Sequence, residues 1–352
     1  MSATEGFSTC ALPNNNPDCI LLGHGSGGRL TSELIRHIFL PIFGGDELAK
    51  LEDQATLPAP SPGTRLAFTT DSFVVKPIFF RGGDIGRLAV CGTVNDLAVG
   101  GAIPKYLSVA FILEEGLAIT DLTRIVKSMK LTCDEVGITI VTGDTKVVDR
   151  GKGDQIFITT TGIGEVPAGV NLSIHSAKPG DRILISGTIG DHGVAILSER
   201  EGLQFETELQ SDVAPLHDLA QLIIRECPDV RCMRDPTRGG VSGVLHELSE
   251  ASKVSVRLDE ASLPFRDEVR AACEMLGLDP IYVANEGKLI AVVPATDAER
   301  VLTAVRSHPN GRNAAIIGEV RAERRGMVTI RSRIGTERIV PQLTGEQLPR
   351  IC

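Results

Sequence analysis

Five aspartates stand among small or apolar neighbours: Asp53 in "LEDQAT", Asp71 in "TTDSFVV", Asp96 in "TVNDLAVGGA", Asp144 in "TGDTKVV" and Asp235 in "RDPTRGG". A carboxylate in an apolar stretch is costly to bury unless it is paired or bound to a cation. Singly, each reads as a cap or turn residue. Together they read as a Mg²⁺ site, because Mg²⁺ takes a few carboxylates along with phosphate oxygens. A glycine loop, "GHGSGG", places Gly23, Gly25 and Gly28 in a G-x-G-x-x-G pattern ahead of an amphipathic segment. Three readings stay open for it: a dinucleotide fingerprint, a structural turn, and a phosphate-contacting loop of another nucleotide fold. The dinucleotide reading wants a preceding strand and an acidic strand end about 20 residues on. Asp46 lies near that distance but sits in the loop-like "FGGDEL". No G-x-x-x-x-G-K-[ST] occurs, and the protein-kinase motifs are missing too. The chain ends on "LPRIC", a terminal thiol at Cys352 that is either a frayed end or a working group.

The elements must bring these residues together. At 352 residues, 42% hydrophobic, the chain suits two globular domains, each able to bury a core. A net charge of −9 argues against a nucleic-acid surface and favours small molecules or proteins as partners. The eight cysteines show no C-x-x-C and no paired Cys/His spacing, which excludes a zinc framework. No apolar run approaches the roughly 20 residues of a membrane span. The first 19 residues lack the basic and apolar stretches of a signal peptide. The expectation is a cytoplasmic protein with reduced thiols and no membrane contact.

Residues 1–19 read as a flexible arm. An amphipathic helix follows the glycine loop, with Pro41 helping to end it. "RLAFTTDSFVVKP" reads as a buried strand with Asp71 in its middle, and "DIGRLAVCGTVNDLAVGGA" as a long small-residue helix. Next come a strand "KYLSVAFIL", a helix "TDLTRIVKSMKLTCDEVG" and the strands "ITIVTGDTKVV" and "QIFITTTGIGEV". A Pro-Gly-Asp turn sets the domain boundary near residue 170. The second half carries helices near 212–226, 239–252, 266–276 and 296–307, and strands near 254–258, 281–284, 288–294 and 314–320. The segment after Val340 spans up to about 40 Å if extended, long enough to carry Cys352 into a cleft.

The glycine loop, "DSFVV", "VNDLAVGGA", "GDTKVV", "DPTRGG", "NEGKL" and the terminal "PRIC" together resemble the HypE family of hydrogenase maturation proteins, the carbamoyl dehydratases. That family belongs to the ATP-using aminoimidazole ribonucleotide synthetase superfamily, which also holds selenophosphate synthetase. "VNDLAVGGA" and "DPTRGG" have relatives across the superfamily, whereas the terminal "PRIC" is specific. The resemblance runs from about residue 20 to the end. It implies an α+β fold in two domains: an N-terminal mixed-sheet domain, residues 20–170, that binds ATP and dimerises, and a C-terminal α/β domain, residues 171–337. A mobile tail, residues 338–352, would carry Cys352 towards an interdomain cleft. The implied partners are the carbamoyltransferase HypF and the HypC-HypD iron-loading complex. On this resemblance Cys352 is a carrier thiol, loaded as a thiocarbamate and dehydrated with ATP and Mg²⁺ to a thiocyanate that supplies cyanide to nickel-iron hydrogenase.

Roles follow residue by residue from the same resemblance. Asp53, Asp71, Asp96 and Asp235 would hold Mg²⁺ on the ATP phosphates, with Asn95, Asp144 and Thr145 near the nucleotide. Gly25, Ser26, Gly27 and Gly28 would cover the phosphates or guide the tail. Lys146 would neutralise the transferring phosphoryl group or, if buried, move a proton; its bland alternative is an ion pair with a neighbouring Asp. Glu286 is the candidate general base, with a solvated turn residue as its alternative, and His24 is a weaker candidate. Arg350 favours a Cys352 thiolate while the terminal carboxylate opposes it. Two rivals remain: a sibling synthetase acting on a diffusible substrate, and a scaffold using nucleotide as a switch.

Overall fold

The computed structural model describes residues 18–200 and 209–343. The arm up to residue 17 and the thiol of Cys352 lie outside the described residues. The first half contains helices α1 (Arg29–Leu34), α2 (Leu40–Phe43) and α3 (Asp46–Ala49), then β1 (Arg65–Phe73), β2 (Phe79–Phe80) and β3 (Gly83–Asp84). It continues with α4 (Ile85–Val99), β4 (Ile103–Glu114), α5 (Ile119–Val136), β5 (Thr139–Val148) and β6 (Ile156–Val166). The second half opens with β7 (Arg182–Ile185), α6 (Asp191–Arg200), α7 (His217–Glu226), β8 (Cys232–Arg234) and α8 (Gly240–Ala251). It closes with β9 (Ser255–Asp259), α9 (Asp267–Leu276), β10 (Ile290–Val293), α10 (Ala298–Ser307), β11 (Ala315–Arg321), β12 (Val328–Arg331) and β13 (Glu337–Ile339).

The N-terminal sheet runs β1-β6-β4-β5, antiparallel except for the parallel β4–β5 pair. On β4 the buried side chains Leu107, Val109, Phe111 and Leu113 alternate with more exposed ones, the period of a half-buried strand. One face of the sheet is covered by α4 and α5, whose Leu88, Val94, Leu122, Ile125 and Met129 share its core. The other face leaves Leu66, Phe68 and Ile112 exposed. β1 is therefore an edge strand with an open face, not the fully buried strand its composition suggested. Aromatic and β-branched content reports fit to a pleated surface, and that surface is only half covered here.

The C-terminal sheet has seven strands in the order β13-β12-β9-β11-β7-β10-β8. It is buried on both faces. Ile183, Ile185, Ile290 and Val292 pack with α8, while Leu184, Ala291 and Val293 pack with α7 and α10. This explains why β10 reads as a continuous apolar run. Helix α4 is buried nearly all round, because its end, Ala98 and Val99, joins the second core. It is the element common to both halves.

Three local expectations are corrected. Pro41 does not end its helix: a π turn over Ile35–Phe39 re-registers the bonding and the helix runs on to Phe43, stopping at Gly44 with φ +64°. The segment 281–284 is no strand. Asp279 Oδ1 accepts from the Ile281 N–H at 3.2 Å and caps a 3₁₀ turn. Helix α6, over "DHGVAILSER", adds an element where the sequence reading placed no helix.

Candidate active site

Alternation along β1 turns Thr69, Asp71 and Phe73 towards α4 and leaves Phe68, Thr70 and Ser72 more exposed. Gly92 lets the helix approach: a Cβ there would lie 2.7 Å from the Phe73 ring and 3.9 Å from Asp71 Oδ2. One turn on, Asp96 Oδ2 accepts from the Thr69 hydroxyl at 2.8 Å. Its neighbour Asn95 faces the second half. Asn95 Nδ2 donates to the carbonyls of Ala214 (3.1 Å) and Glu286 (3.3 Å), and Asn95 Oδ1 accepts from the Leu216 N–H at 2.8 Å.

The second half supplies Asp235, just after β8, and Glu286, in the turn before β10. Asn285 stitches these two turns together. Its side chain donates to the Pro236 carbonyl at 2.9 Å and accepts from the Gly190 N–H at 2.7 Å. Asp71, Asp96, Asp235 and Glu286 thereby come within one another's electrostatic reach. Burial, with Asp96 and Asp71 adding repulsion, pushes Asp235 up to about 7. Burial and the surrounding Asp235, Asp212, Asp71 and Asp96 raise Glu286 well above the usual carboxylate range. Burial also raises Asp71 and Asp96. Glu286 is 3% exposed, so the solvated-turn alternative does not hold for it. A cavity of about 560 Å³ opens beside this cluster, lined by Thr69, Asp96, Gly100, Ser173, Arg234 and Asp235.

The remaining predicted residues form a second group. Gly25 packs its Cα against β5, where a Cβ would meet the Val147 nitrogen at 2.5 Å. This seats the glycine loop beside Asp144, Thr145 and Lys146. Gly27 has φ +80° and donates its N–H to Thr31 Oγ1 at 3.0 Å, and the Ser26 hydroxyl donates to the Gly23 carbonyl at 3.0 Å. Gly28 is the residue before α1. Lys146 Nζ bonds both Asp144 oxygens at 2.8 Å, which holds Asp144 below its ordinary range. Lys146 is 63% exposed, so the burial required for a proton-moving lysine is absent and the ion-pair reading describes its geometry. Next to this group an apolar pocket of about 140 Å³ is walled by Phe39, Phe43, Leu48, Phe111 and Ile140, with Asp144 and Thr145 also lining it.

β5 and β1 are opposite edges of the sheet, three strand spacings or about 14 Å apart. Asp144 is thus not beside the other acids, contrary to expectation. Asp53 lies exposed in the segment before β1, outside the cluster. Among the described residues no group of three His, Cys, Asp or Glu side chains is close enough to hold a metal ion. His24 is buried, and its Nδ1 accepts from the Leu21 N–H at 2.9 Å, a local structural bond. The dinucleotide reading of the loop fails on geometry, because Cys19 before it makes an isolated bridge to Ala118 rather than a strand. Sequence reasoning missed Thr69, Asp212, Asn285 and Lys288. Lys288 and Asn285 flank Glu286 in the motif, but nothing in "QSDVAP" marks Asp212.

The fold and this acid-lined cleft define a class. Residues 51–166 match the N-terminal domain, and residues 178–331 the C-terminal domain, of AIR synthase related proteins. Within that class, the chain belongs to the HypE family of carbamoyl dehydratases. It is 54% identical over 331 residues to carbamoyl dehydratase HypE of Cupriavidus necator, covering 94% of each chain. A crystal structure of hydrogenase maturation protein HypE in complex with ATP superposes with a TM-score of 0.90 at 48% identity, covering 94% of this chain and 99% of the other. HypE in a HypE–HypF complex matches with a TM-score of 0.77 at 49% identity, covering 88% and 99%. The two-domain α+β expectation is met. No helix among the described residues is long and apolar enough to cross a membrane.

Proposed function

We propose that the chain dehydrates a thiocarbamate on its own Cys352 to a thiocyanate, using ATP, and thereby supplies cyanide for nickel-iron hydrogenase assembly. The observation that carries this reading is the convergence of Asp71, Asp96, Asp235 and Glu286 from both halves within one another's electrostatic reach, Asp96 and Asp235 lining the cavity, with proton affinities raised chiefly by burial. The ATP complex of a structural relative and the HypF complex of another support the cosubstrate and the loading partner. HypC-HypD is the proposed iron-loading recipient.

The chemistry requires such a cleft. An amide oxygen is a poor leaving group in water, and phosphorylating it makes phosphate the leaving group. The carbamoyl oxygen attacks the γ-phosphorus, ADP departs, and loss of one N–H proton leaves an imidate phosphate. Loss of the second N–H proton with expulsion of phosphate gives S–C≡N. In sum, thiocarbamate and ATP give thiocyanate, ADP, phosphate and one proton. Glu286 accepts an N–H proton, and its raised proton affinity suits it to that task. Lys146 and the glycine loop face the phosphates, and the apolar pocket beside Asp144 and Thr145 accommodates the adenine ring.

Asp71, Asp96 and Asp235 are the residues that would hold Mg²⁺, and Asp53, outside their cluster, would have to move to join them. Their donor chemistry fits, since they are hard oxygen ligands whose mutual repulsion a cation relieves, but no three of them close on one point, so phosphate oxygens would have to complete the coordination. When bound, Mg²⁺ neutralises charge on the phosphates. A homodimer completes the reading, since the exposed apolar face of the N-terminal sheet, with Leu66, Phe68 and Ile112, would be covered by a second copy. The cytoplasm is the proposed compartment.

The test is intact mass after incubation with the carbamoyltransferase and carbamoyl phosphate, before and after Mg-ATP, with Cys352→Ala alongside. A carbamoyl adduct on Cys352 that loses one water only with ATP is the expected result. An unmodified thiol with an active partner removes the tail from the mechanism.

A further inference from the structure

Glu286 sits in a turn, outside any helix or strand, which is a loose place for a proton acceptor. Yet its backbone is held at several points. Its N–H donates to Asp212 Oδ1 at 3.0 Å, and its carbonyl accepts from Asn95 Nδ2 at 3.3 Å. Gly287 presses against the Asp212 carbonyl so closely that a Cβ there would fall 1.7 Å from the oxygen. Lys288 then turns back, and its Nζ lies 2.9 Å from Asp212 Oδ2, the pair being 12% and 4% exposed. The Lys288 stem crosses Gly187, where a Cβ would lie 2.7 Å from Cε. One buried carboxylate therefore grips the turn at two residues, once through each oxygen.

We propose that Asp212 and Lys288 are a positioning pair for Glu286, fixing the turn that aims its carboxyl into the cleft. The proposal rests on the reading of Glu286 as proton acceptor. Asp212 is itself anchored in a segment sewn to both halves: Ser211 N–H donates to the Arg81 carbonyl at 2.8 Å, and Asn95 binds Ala214 and Leu216. Burial works against an ionised Asp212, but Lys288 and His192 outweigh it and hold its proton affinity below the ordinary range. The acceptor for the Glu286 N–H therefore stays charged, the stronger kind of hydrogen bond. Carboxylates of Asp71, Asp96, Asp235 and Asp212 all face Glu286, so without Lys288 the fourth would be uncompensated.

The experiment is single-turnover dehydration of the full chain, loaded with carbamoyl on Cys352, at saturating Mg-ATP. Asp212→Ala should slow dehydration about 10- to 100-fold without raising the ATP KM, since a displaced base costs rate rather than nucleotide binding. Asp212→Asn keeps an oxygen for the Glu286 N–H but leaves the Lys288 ammonium unpaired, so it should recover part of that loss, and Lys288→Met should also slow dehydration less than Asp212→Ala. A wild-type rate in Asp212→Ala, or an Asn variant as slow as the Ala variant, overturns the pair. So does a parallel fall in rate, ATP affinity and melting temperature, which marks general unfolding. Glu286→Gln separates the two readings. If it dehydrates normally, the base assignment fails and takes the pair with it; if it is inactive while Asp212→Ala is normal, only the pair fails.

Discussion

Burial, with the field of Asp96 and Asp71 behind it, pushes Asp235 from its ordinary value of 3.8 up to about 7. A carboxyl that holds its proton more tightly when folded makes the fold lose stability as pH rises from about 4 to about 7, with the full penalty above that window. Asp235→Asn should therefore raise the melting temperature of the metal-free protein at pH 8 and leave it unchanged at pH 4, read by calorimetry in chelator. Equal effects at both pH values would remove the ionisation of a buried Asp235 as the cause. Glu286→Gln should abolish dehydration, a loss of roughly 10²–10⁴-fold for a general base, while titration calorimetry still records ATP binding. Asp71 and Asp96 were legible because each interrupts an apolar pattern. Asp212 was not, because it stands in an aperiodic loop and its meaning comes from a residue 74 positions away.

Elements were legible where their period was clean. β4 and β6 alternate along most of their length, and α5 ends on Gly137 in the left-handed region, as its sequence suggests. The failures share a cause, local rules overridden by packing. Pro41 should stop a helix, but the stacked rings of Phe39, Phe43 and Phe111 favour carrying the helix past it, and the π turn absorbs the mismatch. "IYVAN" has strand composition, but Pro280 and the Asp279 cap turn it into 3₁₀ structure. The contact between the glycine loop and β5 is also invisible in sequence, since it depends on the backbone at Val147. Gly25→Ala should wedge the loop away from β5 and weaken ATP binding at least about tenfold, because only glycine permits that approach. Unchanged affinity in equilibrium dialysis would separate the loop from the nucleotide site.

At the scale of the whole molecule, Asn95 is a rivet between halves, with three hydrogen bonds across their junction, two of them buried and one part-buried. Asn95→Ala should destabilise the protein by about 3 kcal/mol in urea unfolding, because the groups it leaves behind stay buried without partners. The homodimer proposed above would seat its second copy on the open sheet face with Leu66, Phe68 and Ile112, so Phe68→Glu should shift sedimentation towards a monomer. Composition revealed two domains but not which helix they share, since α4's burial on every side appears only when both cores are assembled. The root of the tail is fixed as well. Val340 is fully buried, His246 Nε2 donates to its carbonyl at 3.1 Å, and the Tyr282 hydroxyl donates to the Pro341 carbonyl at 2.8 Å. Eight residues lie between Leu343 and Cys352, a length of chain that reaches at most about 30 Å from that fixed point. Confinement of that kind gives a local concentration on the order of millimolar. On the proposed function, the cleft would meet a carbamoyl group on Cys352 at that concentration, set by the length of the tether rather than by encounter with a separate carrier.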